Sequence, residues 1–337
     1  MVDAKQAGLV TADDVARLAG VSRWTVNRAF KKDASISAKS RDKVMQAAKS
    51  LGYAPDLLAV SLASDRSGLV AVLLDDLKNP QQITMVEHLT TTLRDAGWYT
   101  LLVNTKDEDD AAAALLEASQ HRVDAAVLIG GRFNDVAIKD ALGAQRLKQL
   151  IVYGRVSQSP NTISICCDDT AAMTELTDHV LARGCQRPLF ISGPRTISAH
   201  LLRKEAMMVR WREARGVLPE VLVADTFSPD LAYARVLDYF RALPRDRYPD
   251  VLMCENDAIA MGAMDALRFE LGLRVPEDIA ITGFDDNDFA SNHNYALTTY
   301  RQPNAEMAQA VVDVLRGAVQ PGALSRMSGQ MILRTSA

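Results

Sequence analysis

The 337-residue chain is predicted to be an α/β protein, in which a small helical head precedes a larger core of parallel sheets. Helical apolar spacing with capping residues runs through residues 1–55, whereas the rest alternates short apolar runs with amphipathic stretches. Apolar residues make up 48% and charged residues 24%, which excludes wholesale disorder. Since no window holds 18 uninterrupted apolar residues, the sequence predicts no membrane span and no membrane partner.

The first helix is predicted over residues 12–19. Thr11 is a favourable N-cap residue, and Asp14 three residues later can complete a capping box. Val15 faces inward, and Gly20 supplies the positive φ of a tight turn. These signals together define a short helix that ends in a sharp turn.

Two further helices complete the predicted head. Ser22 can cap the second helix, over residues 23–31, with Val26 on its buried side. A small residue, a turn glycine and a β-branched residue at this spacing allow two helices to cross closely, as a helix-turn-helix requires. The third helix starts after Ser37 and stops at Gly52, and its apolar positions cover the first two.

The second helix exposes residues suited to reading DNA. Arginine can bond the N7 and O6 edge of guanine bidentately, and this geometry places it in the major groove. Hydroxyls at helix starts suit phosphate oxygens. The alternative is a small helical domain with a solvated polar face. The predicted DNA-contacting residues are Thr11, Ser22, Arg23, Trp24, Thr25, Asn27, Arg28, Ser37 and Ser40.

The charge distribution also indicates a polyanionic partner for the head. Residues 1–66 carry 11 Lys and Arg against 7 Asp and Glu, a net charge of +4. The remaining residues carry −8, so the overall charge of −4 hides a basic head on an acidic body. Chance is the alternative explanation for an excess of this size.

Residues 10–62 resemble the DNA-binding head of the LacI/GalR family of bacterial repressors. Their sequence is VTADDVARLAGVSRWTVNRAFKKDASISAKSRDKVMQAAKSLGYAPDLLAVSL. The resemblance implies that Arg23, Trp24 and Arg28 read base edges. It also implies a hinge helix that folds only on DNA and wedges Leu62 into the minor groove, which would unstack a base step and bend the duplex. Asp56 and Val60 depart from the Asn and the basic residue common in the family, which predicts weaker or rearranged hinge contacts.

The remaining chain is predicted to form parallel sheets covered on both faces, because short apolar strands alternate with helices. The predicted strands are Leu69–Leu74, Thr100–Val103, Ala125–Ile129, Leu150–Val152, Pro188–Ile191, Val251–Met253 and Ile279–Ile281. The predicted helices include residues 82–96, 171–183, 199–215, 230–242 and 257–271.

The order of these elements, with landmarks such as Gly283-Phe284-Asp285-Asp286, resembles the LacI/GalR core, which is similar to periplasmic sugar-binding proteins. That resemblance implies two lobes with a ligand in the cleft, at the carboxyl ends of parallel strands. The expected organisation is a head over 1–55, a hinge helix and linker over 56–67, and a core over 68–337, with an N-lobe of about 68–163 and 294–323 and a C-lobe of about 164–293 and 324–337.

Five residues are predicted to bind the ligand. Asp285 follows a strand and offers a hydroxyl acceptor, and Arg203 offers a donor fork, so that together they can grip vicinal hydroxyls. Asn256 can donate and accept at a strand end, and Phe227 resembles the aromatic on which the family stacks a sugar or base. Asp168, where the chain enters the second lobe, is the fifth candidate.

Each candidate has a structural alternative. Asp285 could cap the segment after its strand, Arg203 could be a surface ion-pair partner, and Phe227 could be a core residue. A separate hypothesis is that Arg155 and His200 add positive charge near the cleft and so favour an acidic sugar.

Two other classes of function compete with a DNA-binding regulator. A sugar-modifying enzyme is disfavoured because there is no activated nucleophile, no phosphate loop and no convergent carboxylate pair. A soluble sugar-binding protein without a DNA role is disfavoured by the basic head and by the lack of a secretory signal. Four cysteines without C-x-x-C spacing and five scattered histidines predict no metal site, no cofactor and a reducing cytoplasm.

The sequence therefore predicts a cytoplasmic transcriptional repressor that acts as a homodimer on a near-palindromic double-stranded DNA operator. A small sugar-like effector, bound between the core lobes, is predicted to switch its operator affinity.

Overall fold

In a computed structural model, the chain forms two compact units, Met1–Ser67 and Gly68–Ala337. The structure describes residues 10–30, 34–55, 66–131, 133, 147–194, 199–200, 202–225, 227–317, 320 and 322–337.

The first unit contains three helices, α1 (Ala12–Ala19), α2 (Arg23–Ala29) and α3 (Ala38–Leu51). They pack around a small core in which Val15, Val26 and Val44 are fully buried. α2 ends two residues earlier than the apolar pattern predicts, with Phe30 as its C-cap residue.

The capping box predicted for α1 forms in the structure. The backbone N–H of Thr11 donates to Asp14 Oδ2 at 3.0 Å, and the backbone N–H of Asp14 lies 3.4 Å from Thr11 Oγ1. Gly20 ends the helix in the left-handed conformation, at φ 64°. The sharp turn between α1 and α2 is therefore encoded locally.

The second unit begins with a six-stranded parallel sheet. Its strands are β1 (Leu69–Leu74), β2 (Tyr99–Asn104), β3 (Ala125–Ile129), β4 (Leu150–Tyr153), β6 (Ile163–Cys167) and β13 (Leu324–Met327). They lie in the order β13-β6-β4-β3-β1-β2. Helices α4 (Pro80–Asp95) and α10 (Asn304–Leu315) cover one face, and α5 (Glu108–Gln120) covers the other. This sheet with its helices is the N-lobe.

The C-lobe is built on a four-stranded parallel sheet. Its strands are β7 (Pro188–Ser192), β9 (Glu220–Val223), β10 (Val251–Cys254) and β11 (Ala280–Thr282). They lie in the order β11-β10-β7-β9. On one face lie α6 (Asp169–Ala182) and α7 (Arg203–Arg215); on the other lie α8 (Pro229–Arg241) and α9 (Asp257–Asp265), which continues as a π-helix over Ala266–Glu270. A 3-10 turn, Arg245–Arg247, precedes β10.

Two short antiparallel ribbons complete the described elements of this unit. One pairs β5 (Val156–Ser157) with β8 (Ala199–His200), and the other pairs β12 (Thr299–Arg301) with β14 (Gln330–Ile332). Isolated bridges also join Thr298 to Thr282 and Arg301 to Asp285. The ribbon of β12 and β14 thus runs beside β11 as the chain passes between lobes.

The chain leaves the N-lobe sheet later than the sequence predicts. The predicted boundaries assign residues 164–167 and 324–327 to the C-lobe, but in the structure they pair within the six-stranded sheet as parts of β6 and β13. Their pairing continues to Cys167 and Met327, which moves each change of lobe by about one short strand. β13 is a half-exposed edge strand without an apolar run, so its sequence carries no signal for this pairing.

Among the described residues, every helix is too short or too polar to traverse a lipid bilayer.

Gly262 marks the close approach of α8 and α9, and its replacement by alanine should lower the melting temperature. An added Cβ would lie 2.0 Å from the Pro229 carbonyl oxygen. Glycine to alanine in an open helix stabilises by about 1 kcal/mol, but overpacking costs about 1–3 kcal/mol. We expect Gly262→Ala to lower the melting temperature by a few degrees in a thermal scan. A melting temperature at or above that of the parent would show that the two helices can separate freely.

Candidate functional site

The outward face of α2 carries Trp24 and Arg28, one turn apart. Trp24 is 65% exposed, and the Arg28 guanidinium carbon lies 4.4 Å from the centroid of its ring. Arg28 Nε and Nη2 donate to the Ser35 carbonyl oxygen at 3.1 and 2.7 Å. Arg23 is also exposed and lies 3.3 Å from Asp13, a surface pair that contributes little stability and can open. The face therefore presents two guanidinium groups and an aromatic ring.

The predicted phosphate-binding hydroxyls lie in pairs at helix starts. The hydroxyl oxygens of Ser22 and Thr25 are 2.9 Å apart, and Ser37 Oγ donates to Ser40 Oγ at 2.9 Å. The hydroxyl of Thr11 instead donates to Asp14 at 2.7 Å, so its hydrogen is already used within the capping box.

The remaining DNA candidates differ in position. Asn27 is exposed on α2, and Leu62 lies outside the described residues. The bases that each would contact stay predictions.

Arg203 lies at the centre of a buried polar cluster in the second unit. It is 3% exposed at the start of α7, and its guanidinium stacks on Phe284 at 3.6 Å from the ring centroid. Nε donates to Asp169 Oδ1 at 3.0 Å, and Nη1 donates to the Glu255 carbonyl oxygen at 2.8 Å. Nη1 also lies 3.7 Å from Asp285 Oδ1. The alternative that Arg203 is a surface ion-pair partner is wrong, because both Arg203 and its acidic partners are buried.

Asp285 follows β11 with its carboxyl group buried beside Arg203. Its Oδ1 accepts a hydrogen bond from Gln302 Nε2 at 2.7 Å, whereas Oδ2 has no hydrogen-bond partner among the described residues. Burial raises the pKa of Asp285 to about 7, and Arg203 and Gln302 offset only part of that increase.

The neighbouring carboxyl of Asp286 turns the other way. It accepts from Arg301 Nε at 2.7 Å and from Arg334 Nη2 at 2.6 Å. Both aspartates have positive φ, 122° for Asp285 and 54° for Asp286. The two adjacent carboxylates thus serve different partners and do not converge on one point.

Three other predicted ligand residues lie at the carboxyl ends of the strands, but two of them are engaged as helix caps. Asn256 Oδ1 accepts from the Ile259 N–H at 3.0 Å and caps α9. Asp168 accepts from the Ala171 N–H at 3.1 Å and caps α6. Phe227 packs so closely on Gly193 that a Cβ there would meet its ring.

Asp169, rather than Asp168, contacts the buried arginine, and sequence reasoning missed it. The doublet Asp168-Asp169 after β6 was a signal, but only the helix phase shows which carboxyl turns inward. Burial raises the pKa of Asp169, and the charge of Arg203 counteracts that change. Gln302, which directly follows β12, was missed as well, because no sequence signal marked it as a partner of Asp285.

Two further buried carboxyls lie beside this group. Glu255 accepts a hydrogen bond from the backbone N–H of Gly193, and Asp257 accepts from Thr299 Oγ1 at 2.6 Å. Burial raises the pKa of both. Both oxygens of Asp257 are used within the protein, since Oδ2 accepts from the backbone N–H of Asn287 at 2.9 Å, so Asp257 supports this buried polar cluster from within.

Arg155 and His200, the two residues hypothesised to favour an acidic ligand, lie near each other in the chain fold, because β5 and β8 pair. Arg155 is 5% exposed in the turn between β4 and β5. His200 lies in β8, and its side chain is outside the description.

Comparison with known proteins identifies the family. Residues 11–56 match the profile of bacterial regulatory proteins of the lacI family, and residues 177–337 match a periplasmic binding protein-like domain. The sucrose operon repressor of Escherichia coli is 30% identical, over 97% of this chain and all of the relative. The chain belongs to the LacI family of bacterial regulatory proteins.

Other relatives agree with this assignment. The ribose operon repressor of Escherichia coli strain K12 is 28% identical, over 91% of this chain and 92% of its own length. A crystal structure of a lac repressor dimer bound to operator and the anti-inducer ONPF is 25% identical with a TM-score of 0.83, covering 98% of this chain and 99% of that one. The predicted fold class and family are confirmed. This LacI family member is a DNA-binding transcriptional regulator, not an enzyme or a solute-binding protein without a DNA role.

The raised pKa of Asp285 predicts a pH dependence of stability. In the unfolded chain this carboxyl titrates near its ordinary value of 3.8, whereas in the folded chain it titrates at about 7. The folded state therefore binds an extra proton between these values, and the stability that this gives is lost as pH rises through about 7. We expect the melting temperature to fall from pH 6 to pH 8, and to fall less in Asp285→Asn. Equal slopes in the two proteins would contradict the assigned pKa.

Proposed function

We propose that this regulator is a repressor whose operator affinity is switched by a sugar or sugar derivative bound between its core lobes. The observation that carries the proposal is the buried pair of Arg203 and Asp285 at the carboxyl ends of parallel strands. That edge of an open α/β sheet is where ligands bind.

The pair can grip two neighbouring hydroxyl groups. Arg203 uses Nε and one Nη1 hydrogen within the protein, and because Nη2 has no hydrogen-bond partner in the described part of the chain, we propose that it donates to a ligand oxygen. Asp285 Oδ2 can accept from a second hydroxyl. Phe227 supplies an aromatic wall beside Gly193, and Asn256 and Asp168 are further proposed contacts.

The relatives support a saccharide effector. Two of them carry the names of sucrose and ribose operon repressors. Carboxylate, guanidinium and amide groups around an aromatic ring are suited to a polyhydroxylated molecule.

On the DNA side, we propose that a homodimer binds two half-sites of a near-palindromic operator through α2 of each head. Two-fold symmetric regulators with this motif bind half-sites related by the same symmetry. The hydroxyls of Ser22, Thr25, Ser37 and Ser40 are proposed to contact phosphates, and Leu62 of the hinge to enter the minor groove. The proposed location is the cytoplasm, where operator DNA lies.

The switch is proposed to be a population shift between two angles of the core lobes. Effector in the cleft contacts both lobes and favours one angle, which changes how readily the hinge segments meet over the operator. Its size is limited by the difference in effector affinity between the two states.

A thermal-shift panel tests the effector site. A ligand at a hundred times its dissociation constant stabilises the protein by about 2.7 kcal/mol, so we expect one of the pentoses, hexoses, sugar acids, polyols or sugar phosphates to raise the melting temperature. Asp285→Ala should abolish that shift and the operator response while keeping operator affinity. A normal operator response in this variant would refute the assigned pocket, and a panel without any shift would refute the sugar effector.

Leu62→Ala tests the proposed hinge wedge. Loss of the apolar wedge removes the support for a bent duplex, so operator affinity should fall at least tenfold while effector binding is kept. Electrophoretic mobility shift with a bend-sensitive probe measures both affinity and curvature. Unchanged affinity and curvature would remove the hinge from the DNA interface.

A further inference from the structure

Trp24 and Arg28 form a stacked pair on the exposed face of α2. They lie four residues apart, which places them on one side of the helix. The guanidinium covers one face of the indole at 4.4 Å, within the range of a cation–π contact. Trp24 remains 65% exposed despite this contact, so much of its indole surface is available to a partner.

The loop that follows α2 fixes the guanidinium of Arg28. Its Nε and Nη2 both donate to the Ser35 carbonyl oxygen. Arg41 of α3 steadies the same loop, since its Nη1 donates to the Ala29 carbonyl at 2.5 Å and its Nη2 to the Ala34 carbonyl at 3.2 Å. The orientation of Arg28 is therefore set before DNA binds, which reduces the entropy lost on binding.

The fixed geometry determines which hydrogens of Arg28 remain available. A guanidinium carries five N–H donors in a rigid fork. With Nε and one Nη2 hydrogen on Ser35, the two Nη1 hydrogens and the second Nη2 hydrogen have no hydrogen-bond acceptor among the residues that the structure describes. This pair at the end of the fork matches the N7 and O6 acceptors of guanine in the major groove.

Trp24 offers a different kind of contact. Its only polar group is the indole N–H donor, and one ring face is already covered by Arg28. The exposed carbon edge suits an apolar group, and the apolar group on base edges in the major groove is the thymine C5 methyl. Base pairs stack about 3.4 Å apart, so groups separated by 4.4 Å reach neighbouring base pairs.

We propose that Trp24 and Arg28 read one two-base step as a unit, in which Arg28 binds a guanine and Trp24 covers the methyl group of the adjacent thymine. The proposal rests on the assignment as a DNA-binding regulator and adds the chemistry of the half-site. Trp24 is also a positioning residue, because its ring holds the fork of Arg28 in the plane of the guanine.

Base analogues test the pair atom by atom. The full-length protein is first used to select duplexes from a random library, and the selected half-site should contain a guanine beside a thymine. Uracil for that thymine removes only the methyl group and should weaken binding about 4-fold, from about 0.8 kcal/mol per buried methyl-sized group. Replacing the guanine by 7-deazaguanine removes N7 and should weaken binding about 10-fold, within the 1–3 kcal/mol discrimination of a bidentate contact.

Variants assign each effect to one side chain. In Trp24→Ala the penalty for uracil should disappear, and in Arg28→Lys, which keeps the charge but loses the fork, the penalty for 7-deazaguanine should shrink below 3-fold. Trp24→Leu keeps an apolar contact without the stacked ring, so it should retain the uracil penalty and lose part of the 7-deazaguanine penalty. Met45→Ala, which removes an exposed apolar side chain from α3 of the same head, should change neither.

Three results would overturn the proposal. The first is a uracil penalty that is equal in the parent and in Trp24→Ala. The second is a loss of affinity in Trp24→Ala and Arg28→Lys that is the same for every duplex, which would make the pair structural or phosphate-binding. The third is a selected half-site without the guanine–thymine step. Failure to select any duplex would instead overturn the regulator assignment itself, so the two failures are distinguishable.

Discussion

The C-lobe side of the proposed ligand cleft depends on the contacts of one buried group, the guanidinium of Arg203. A buried charge is costly unless it is paired and hydrogen-bonded. Here α6 supplies Asp169, the end of β10 supplies the Glu255 carbonyl, the loop after β11 supplies Asp285, and Phe284 supplies a ring face. Three separate segments are therefore held in one arrangement by a single side chain. Removal of that side chain would leave their carboxyl groups buried without a counter-ion.

The loop after β11 links this cluster to the strands that connect the lobes. Asp285 faces Arg203 and Gln302, while Asp286 bridges Arg301 of β12 and Arg334 of the C-terminal segment. Non-glycine residues with positive φ store about 1–3 kcal/mol each, and two of them stand in succession here. Asp285 is thus adjacent in sequence to Asp286, whose ion pairs with Arg301 and Arg334 hold the strands that connect the lobes. A ligand that binds Asp285, as proposed, would act one residue away from the ion pairs of Asp286 with Arg301 and Arg334.

The head is organised by different physics. Its core is small, and its geometry follows from caps, one left-handed glycine and a loop held by arginine hydrogen bonds to backbone carbonyls. Such local devices leave the polar face of α2 free for DNA while still fixing Arg28. The basic charge of this unit, on a chain that is otherwise acidic, directs it to a polyanion over longer distances.

Much of this architecture was predictable because its determinants are local. The capping box of Thr11, the turn at Gly20 and the alternation of apolar strands with amphipathic helices specify a helical head and a parallel α/β core. Arg203 and Asp285, predicted from a family motif and a strand end to act together, lie 3.7 Å apart in the structure, while their contact with a ligand stays a prediction. Family resemblance added the division of the core into two lobes.

Tertiary structure alone decided the rest. The sequence determined that carboxyls stand at Asp168 and Asp169, but only the packing of α6 turns Asp169 to Arg203 and leaves Asp168 as a cap. The strands β6 and β13 are not among those predicted from the sequence, and the place of β13 in the six-stranded sheet depends on its pairing with β6, more than a hundred residues earlier in the chain. Gln302 and the tether of Arg28 to Ser35 likewise arise from contacts between elements. Periodicity and capping act within a few residues, whereas the partners of a buried charge are set by which elements the core brings together.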